Sequence, residues 1–228
     1  MLFRSRTGPN TKHALVIGAG LAGSAICHSL ASCGWQIDLV DSAHGPAQGA
    51  SSLYAGAFHP HISMDDCILS RLARHAFLAA LPYWERLNSN GFALHWSRCG
   101  MLQLPLDLAE ANTLLALPNA LGYPADYAQN VDVDEASALA GISLSSSALY
   151  YPQSGWLRAN SLVAAQLAAA NDAVRPYFGR KVAQLDCNEG LWRARDAQGH
   201  VIAAAPVAIL ANAADAARSE EHTSELQS

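Results

Sequence analysis

Within the stretch Val16 to Leu30, VIGAGLAGSAICHSL, three glycines fall in the pattern G-x-G-x-x-G at Gly18, Gly20 and Gly23. Each has a separate physical job. Gly18 permits a sharp turn, Gly20 lets a phosphate come close to the backbone, and Gly23 lets a helix pack tightly on the preceding strand. A helix opening at this loop offers N–H groups and a partial positive charge. Gly18, Gly20 and Gly23 with this helix start therefore read as a cradle for a diphosphate. Asp41 closes the next apolar run, QIDLVD, about 20 residues past the loop, where a carboxylate accepts both hydroxyls of an adenosine ribose. An acid at this place, rather than an arginine, argues against a 2′-phosphate, so the expected ligand is FAD or NAD.

The segment after Asp41, SAHGPAQGASSLYAGAFHPHIS, is rich in small residues and long enough to be functional. Its Gly49, Ala50, Ser51 and Gly56 suit a backbone lying against a flat ligand. His59 and His61 are placed for polar positioning. The His-x-His spacing has no third ligand nearby, so no metal is expected. No residue stands out as a general base, and none is assigned as catalytic.

These residues need a frame, and the pattern supplies one. The run from Ala14 to Ile17 reads as a strand, followed by a helix carrying Ala22, Ile26 and Leu30 and a second strand over Gln36 to Asp41. DDCILSRLARHAFLAALPYWERL then reads as a helix capped by Asp65 or Asp66, and Pro82 is expected to bend it or end its first half. FALHWSR, GMLQLP and ALYYP read as strands, with helices from Asp107 to about Leu117 and around VDVDEASALAG. A helix over 160–171 leads to a strand VRPYF and a meander of KVAQLDC, GLWRARD and HVIAAA, whose turns hold Asn188-Glu189-Gly190 and Gln198-Gly199. VAILANAADA reads as a buried strand.

This order suggests a cofactor domain interrupted by a substrate domain, a layout that favours FAD over NAD. The expected fold is α/β: a Rossmann-like FAD-binding domain over 13–90 and 159–217, interrupted by an α+β substrate domain over 91–158.

The chain has 228 residues, 51% of them hydrophobic, enough to bury a sizeable core. A formal net charge of −5 gives no global attraction to nucleic acid, so any RNA contact must come from a local patch. Five scattered cysteines, none spaced C-x-x-C, fit a reducing cytosol better than a disulfide framework or a zinc site. No run reaches the roughly 20 apolar residues of a spanning helix. The expected setting is cytoplasmic, away from membrane.

Both ends read as foreign. Arg218 to Ser228, RSEEHTSELQS, resembles the in-frame translation of a common sequencing adapter, and MLFRS resembles the opposite adapter read from a GTG start. Residues 1–12 are thus expected to be an adapter-like start and a linker, and residues 218–228 a non-native tail.

GAGLAGSA, GASSLYAGAFHPHISMDDCILSRLARHAF and ALYYPQSGWLRANSLVAA together resemble the FAD-dependent oxidoreductase domain of the bifunctional tRNA 5-methylaminomethyl-2-thiouridine biosynthesis family. That domain belongs to the D-amino-acid-oxidase-like flavoproteins of the glutathione-reductase type, and the resemblance implies that the fold is C-terminally incomplete and the substrate domain partial, since relatives continue beyond the last strand. The resemblance covers nearly all of His13 to Asp215. Its specific parts are His59-Pro60, Asp65-Asp66, Ser70-Arg71-Leu72 and the phrases Tyr151-Pro152-Gln153 and Gly155-Trp156. It implies oxidative removal of the carboxymethyl group from 5-carboxymethylaminomethyl-2-thiouridine at the tRNA wobble position. The partner it implies is an S-adenosylmethionine-dependent methyltransferase domain, normally fused N-terminally.

By the same resemblance, Gly18, Ala19, Gly20, Leu21, Ala22 and Gly23 hold the FAD pyrophosphate and Asp41 its ribose, Ala50, Ser51 and Gly56 line the approach to the flavin, Val182 reads adenine through its main chain, and Ala211 to Ala213 pass the cofactor. Trp156 is a candidate for stacking on a substrate base. Arg71, Arg74 and Arg158 are candidates for phosphate contacts. The sequence departs from the family at Ser52-Leu53, where Gly-Asn is usual, and at Ala213, where glycine is usual. Two alternatives stand beside this reading: an oxidase of the glycine or D-amino-acid type, and a non-catalytic, truncated flavin-binding fragment.

Overall fold

A computed structural model of the chain describes residues 2–4 and 12–213. Of the expected adapter-like start and linker at 1–12, residues 1 and 5–11 lie outside the described residues, as does the adapter-like tail at 218–228. In chain order the first elements are β1 (Leu2–Arg4), β2 (His13–Ile17), α1 (Leu21–Ser32), β3 (Gln36–Val40), β4 (Gly56–Phe58) and α2 (Ile68–Ser89). Next come β5 (Trp96–Ser97), β6 (Met101–Gln103), α3 (Leu108–Leu114), α4 (Leu117–Leu121), β7 (Gln129–Val131), α5 (Val133–Ala140), β8 (Ala148–Tyr151) and β9 (Gly155–Leu157). The last are α6 (Ala159–Ala170), β10 (Val174–Tyr177), β11 (Gln184–Asn188), β12 (Leu191–Arg195), β13 (Val201–Ala205) and β14 (Val207–Leu210).

The chain divides into two compact units. The first comprises Met1–Tyr54, Leu87–Leu94 and Arg158–Ser228, and the second Ala55–Arg86 and His95–Leu157.

A sheet of order β1-β14-β2-β3-β10 is the frame of the first unit, parallel throughout except for the antiparallel edge strand β1. Its central strands read as unbroken apolar runs because both faces are covered. Ala14, Val16, Ile37, Leu39, Val207 and Ile209 pack toward Cys27 and Ile26 of α1 and Leu167 of α6. The alternate residues Leu15, Ile17, Val40, Ala208 and Leu210 meet Leu185, Ala194, Ala203 and Ala205 of the antiparallel meander β11-β12-β13. The result is three layers: a helix pair, a parallel sheet and a small antiparallel sheet. Ser24 Oγ of α1 donates to Gln166 Oε1 of α6 at 2.6 Å, so two buried polar side chains satisfy one another where the helices meet.

In the second unit, two three-stranded sheets, β4-β9-β5 and β6-β8-β7, accompany α2. Phe77 and Leu81 of α2 bury against Leu149 and Tyr151 of β8 and Leu114 and Leu117 of the short helices. This packing explains two departures from the sequence reading. The boundary expected near residue 90 falls instead at Tyr54, because the apolar stripe of α2 serves the second unit's core. The helix also runs through Pro82 without ending there. Side chains buried on both sides of the proline, Phe77, Leu81 and Leu87, hold the helix against a cost of about 3 kcal/mol for the lost hydrogen bond.

β9 is one of the elements the sequence reading lacked, with β1, β4, β7 and α4. It is three residues long, GWL, and Gly155 breaks its alternation. A Cβ at Gly155 would lie 1.9 Å from the carbonyl oxygen of Ser97, so the neighbouring backbone tolerates only glycine. Gly155→Ala is expected to destabilise the protein by about 3 kcal/mol in urea unfolding followed by tryptophan fluorescence. Gly49→Ala, whose Cβ meets nothing within 4 Å, should stay within about 0.5 kcal/mol of the parent.

Candidate functional site

The carboxyl ends of β2, β3 and β14 open onto a cavity of about 590 Å³ in the first unit. That size suits a small-molecule site, roughly 300–1,000 Å³, and the carboxyl edge of a parallel sheet is where such folds bind ligands. Its floor is the loop from Gly18 to Ala22, which leaves β2 and enters α1.

Close backbone approaches fix that loop. Gly18 has φ +109°, and a Cβ there would lie 2.5 Å from the carbonyl oxygen of Ala211. A Cβ at Gly23 would lie 1.8 Å from the carbonyl oxygen of Gly18. These glycines are therefore required by the fold itself. Gly20 is different, because its Cβ would meet only the side chain of Ser51, with Oγ at 2.9 Å. The free space there faces the cavity.

Asp41 ties the loop to β3. Its Oδ2 accepts the Ala19 N–H at 2.6 Å, and its Oδ1 accepts the Ala43 N–H at 2.8 Å. A carboxylate offers about four lone-pair sites, so each oxygen keeps one for a ligand hydroxyl. At the start of α1 the Leu21 N–H donates to Ser51 Oγ at 3.1 Å, while the N–H groups of Gly20 and Ala22 have no acceptor among the described residues. Donors at a helix start beside a poised carboxylate fit a diphosphate joined to a ribose.

Of the residues expected to hold a dinucleotide, Gly18, Ala19, Gly20, Leu21, Ala22, Asp41, Ala50, Ser51 and Ala211 line the cavity. Gly23 supports it from behind. Two expected residues do not line it. Gly56 opens β4 in the second unit, opposite Leu157, and Val182 packs on the core between the parallel sheet and the meander. The sequence reading placed Asn212 only within Ala211 to Ala213, the stretch expected to pass the cofactor; its Oδ1 is buried without a partner at the cavity wall. An amide directly after the buried strand β14 was the available signal. Ala213 beside it has φ +51°, a left-handed conformation, which explains why glycine is usual there.

The expected substrate residues lie in the second unit. His59 is exposed, its Nδ1 3.0 Å from the carbonyl oxygen of Pro60, and Trp156 is 41% exposed in the middle strand of β4-β9-β5. Arg71 is exposed on α2. Arg74 is not available for a phosphate as expected. It donates to both carboxylate oxygens of Asp66, at 2.9 and 3.2 Å, and to the Tyr123 hydroxyl at 2.7 Å, and this guanidinium holds the Asp66 carboxyl below its usual range. At the start of α2, Ser63 Oγ lies 3.4 Å from Cys67 Sγ and lowers that thiol's pKa, whereas burial pushes Cys27 up to about 12. Among the described residues no three His, Cys, Asp or Glu side chains gather as a metal site, and no helix is long and apolar enough to cross a membrane.

Residues 13–226 match the family described as FAD dependent oxidoreductase. The chain belongs to this family. Its sequence is 40% identical over 222 residues to the tRNA 5-methylaminomethyl-2-thiouridine biosynthesis bifunctional protein MnmC of Ralstonia nicotianae, covering 95% of this chain and 34% of that protein. The MnmC protein of Paraburkholderia phytofirmans is 43% identical over 207 residues, covering 91% of this chain and 32% of its own length. The chain thus spans about a third of the length of these curated relatives. In three dimensions it resembles glycine oxidase from Geobacillus kaustophilus, with TM-score 0.79 and 24% identity over 94% of this chain and 59% of that one. Iminodiacetate oxidase from Chelativorans sp. gives TM-score 0.71 and 24% identity, over 91% and 57%. The α/β fold is that of the oxidoreductase family.

Three outcomes test the site. Asp41→Ala strands the Ala19 and Ala43 N–H groups and should cost about 2 kcal/mol or more in urea unfolding, with Asp41→Asn intermediate. Ala213→Gly should raise stability by up to about 1 kcal/mol, since relief of the left-handed alanine outweighs the added chain entropy. In alkylation against pH, Cys67 should react with a midpoint below the usual thiol value that Ser63→Ala raises, while Cys27 reacts only on unfolding.

Proposed function

We propose that this chain is the FAD-binding part of an oxidoreductase acting on tRNA. The reaction is removal of the carboxymethyl group from 5-carboxymethylaminomethyl-2-thiouridine at the wobble position, leaving the aminomethyl nucleoside. The observation that carries this reading is 40 to 43% identity to bifunctional MnmC proteins over at least nine-tenths of the chain.

FAD, when bound, supplies the two-electron acceptor. Gly20 and Ala22 would direct their N–H groups at its diphosphate, with the start of α1 adding a partial positive charge. Asp41, already fixed by two main-chain donors, would accept the ribose hydroxyls. Asn212 Oδ1, which lacks a partner, would take a hydrogen bond from the ligand and so relieve an otherwise costly buried acceptor. The carbon between amine and carboxylate would give up a hydride to this acceptor, and water would hydrolyse the resulting C=N bond, so that the carbon leaves in glyoxylate and the amine stays on the nucleoside. Trp156 supplies an exposed aromatic face for a base, and Arg71 a cation for the RNA backbone. The product amine is the substrate of the methyltransferase domain implied N-terminally, and both steps belong in the cytoplasm with tRNA.

The deciding experiment offers FAD to the purified chain and measures retained flavin absorbance after gel filtration, with Asp41→Ala as the variant that should lose it. A chain that stays colourless overturns the cofactor reading. With flavin bound, tRNA bearing the carboxymethylaminomethyl nucleoside should release glyoxylate and free glycine should not. The reverse outcome favours an amino-acid oxidase. Arg71→Ala should weaken tRNA binding about uniformly across sequences and lower the slope of log affinity against log salt by about 1.

A further inference from the structure

The parallel sheet of the first unit carries a second cavity, of about 370 Å³, at the opposite end from the first. It is lined by Lys12, His13, Gln36, Ile37, Asp38 and Arg175, toward the amino ends of β2, β3 and β10. β2 and β3 are five residues long, so roughly 17 Å of strand separates this cavity from the glycine loop. The two are distinct sites.

Strand register fixes which way the side chains face. His13 lies opposite Gln36, Leu15 opposite Asp38, and Asp38 opposite Arg175. Side chains alternate along a strand, so His13, Gln36, Asp38 and Arg175 share the face that carries Leu15, Ile17 and Val40. The meander covers those three apolar residues. Toward the amino ends the same face turns polar and opens into the cavity.

The charges there do not cancel. Asp38 is the one acid in the lining; it is buried and lies 3.1 Å from His13 Nε2. Lys12 Nζ donates to the Cys33 carbonyl at the C-cap of α1, at 2.8 Å, where a cation suits the negative end of the helix, and an ammonium keeps two further donors. Arg175 is exposed, and its only side-chain hydrogen bond among the described residues runs from Nη1 to the Tyr177 hydroxyl, at 3.4 Å. Neither Lys12 nor Arg175 forms an ion pair among the described residues. Two permanent cations thus meet a single, already engaged acid, in a chain with 19 acidic residues against 14 Lys and Arg. A guanidinium fork matches two oxygens of a phosphate, and an ammonium on a separate segment adds a point charge for a third.

We propose that this cavity is a phosphate-binding site, in which Arg175 and Lys12 supply the charge and Gln36 a further donor. The phosphate is free or belongs to an RNA backbone. The site depends neither on the flavin nor on the reaction proposed above.

The test is proton–nitrogen NMR of the purified chain, reading the Arg175 Nε–H, identified by its loss in Arg175→Gln, together with the backbone amides of Gln36 to Asp38. The amides of Gly20 and Ala22 are followed separately, since the glycine loop offers donors of its own. Inorganic phosphate exchanged for chloride at constant ionic strength should shift the Arg175 and β3 resonances saturably. The affinity read at those resonances should fall about tenfold in Lys12→Gln, with circular dichroism unchanged, and Arg175→Lys should weaken it at β3 less than Arg175→Gln does. A single-stranded RNA oligonucleotide then identifies the source: the same saturable shifts point to the RNA backbone, and their absence points to free phosphate. Phosphate shifts confined to Gly20 and Ala22 overturn the proposal and leave the cofactor site standing. Equal shifts from acetate overturn it too, as does undiminished phosphate affinity in a folded Lys12→Gln chain.

Discussion

The approach of three backbone segments within one turn sets the rest of the first unit. The carbonyl of Gly18 faces Gly23, the carbonyl of Ala211 faces Gly18, and the N–H of Ala19 reaches the carboxylate of Asp41. One contact seats α1 on β2, the second brings the end of β14 alongside, and the third ties in the end of β3. Because β14 lies some 190 residues after β2, this is a long-range closure rather than a local motif. The same atoms that close the fold therefore shape the cavity. A side chain at Gly18 or Gly23 would disturb both, whereas one at Gly20 would chiefly occupy ligand space.

The buried polar groups divide along the same line. Ser24 and Gln166 bond to each other between α1 and α6, and Asp38 receives His13 at 3.1 Å. These polar side chains are satisfied within the protein and serve packing. Asn212 Oδ1 and Arg158 Nε are buried in the same unit and are not satisfied. Native proteins leave few such groups, since each costs about 1–3 kcal/mol. Asn212 lines the cavity, where a ligand would complete its hydrogen bonding, whereas Tyr127 and Ser154 are left unpartnered in the second unit.

How much of this could be read from the sequence depended on whether the controlling contact was local. The βαβ unit, the returning helix and the meander were legible because their apolar periods and turn glycines carry the information within each segment. The Asp132 cap of α5, which accepts the Glu135 N–H at 2.9 Å, and the stop at Gly141, φ +70°, are of that kind. β4 and β9 were not legible, because strands of three residues with a central exposed Ala57 or Trp156 have no alternation to detect. Nor was the side of the unit boundary on which α2 falls, since a helical stripe records that a face is buried but not what buries it. At the site, the glycines and Asp41 announced themselves by spacing. Asn212 fell only within the stretch Ala211 to Ala213 expected to pass the cofactor, because what marks it is a missing partner, and only three-dimensional structure shows an absence.

Arg74 and Arg158 make the same point about charge. Both are arginines in apolar-rich helical surroundings, and a sequence reading treats them alike as candidate anion contacts. The fold separates them. Asp66, itself in a left-handed conformation at φ +41°, is bent back to clasp Arg74, so that charge is spent internally and the strained residue is compensated by two hydrogen bonds. Arg158 has an aromatic ring in place of an acid, and a ring attracts a cation without neutralising it. A guanidinium over tyrosine keeps its full charge, at some cost to stability where it lies beside a helix N-terminus. The distinction between a cation paired with an acid and one that is not is therefore set by the neighbour each arginine meets in the fold.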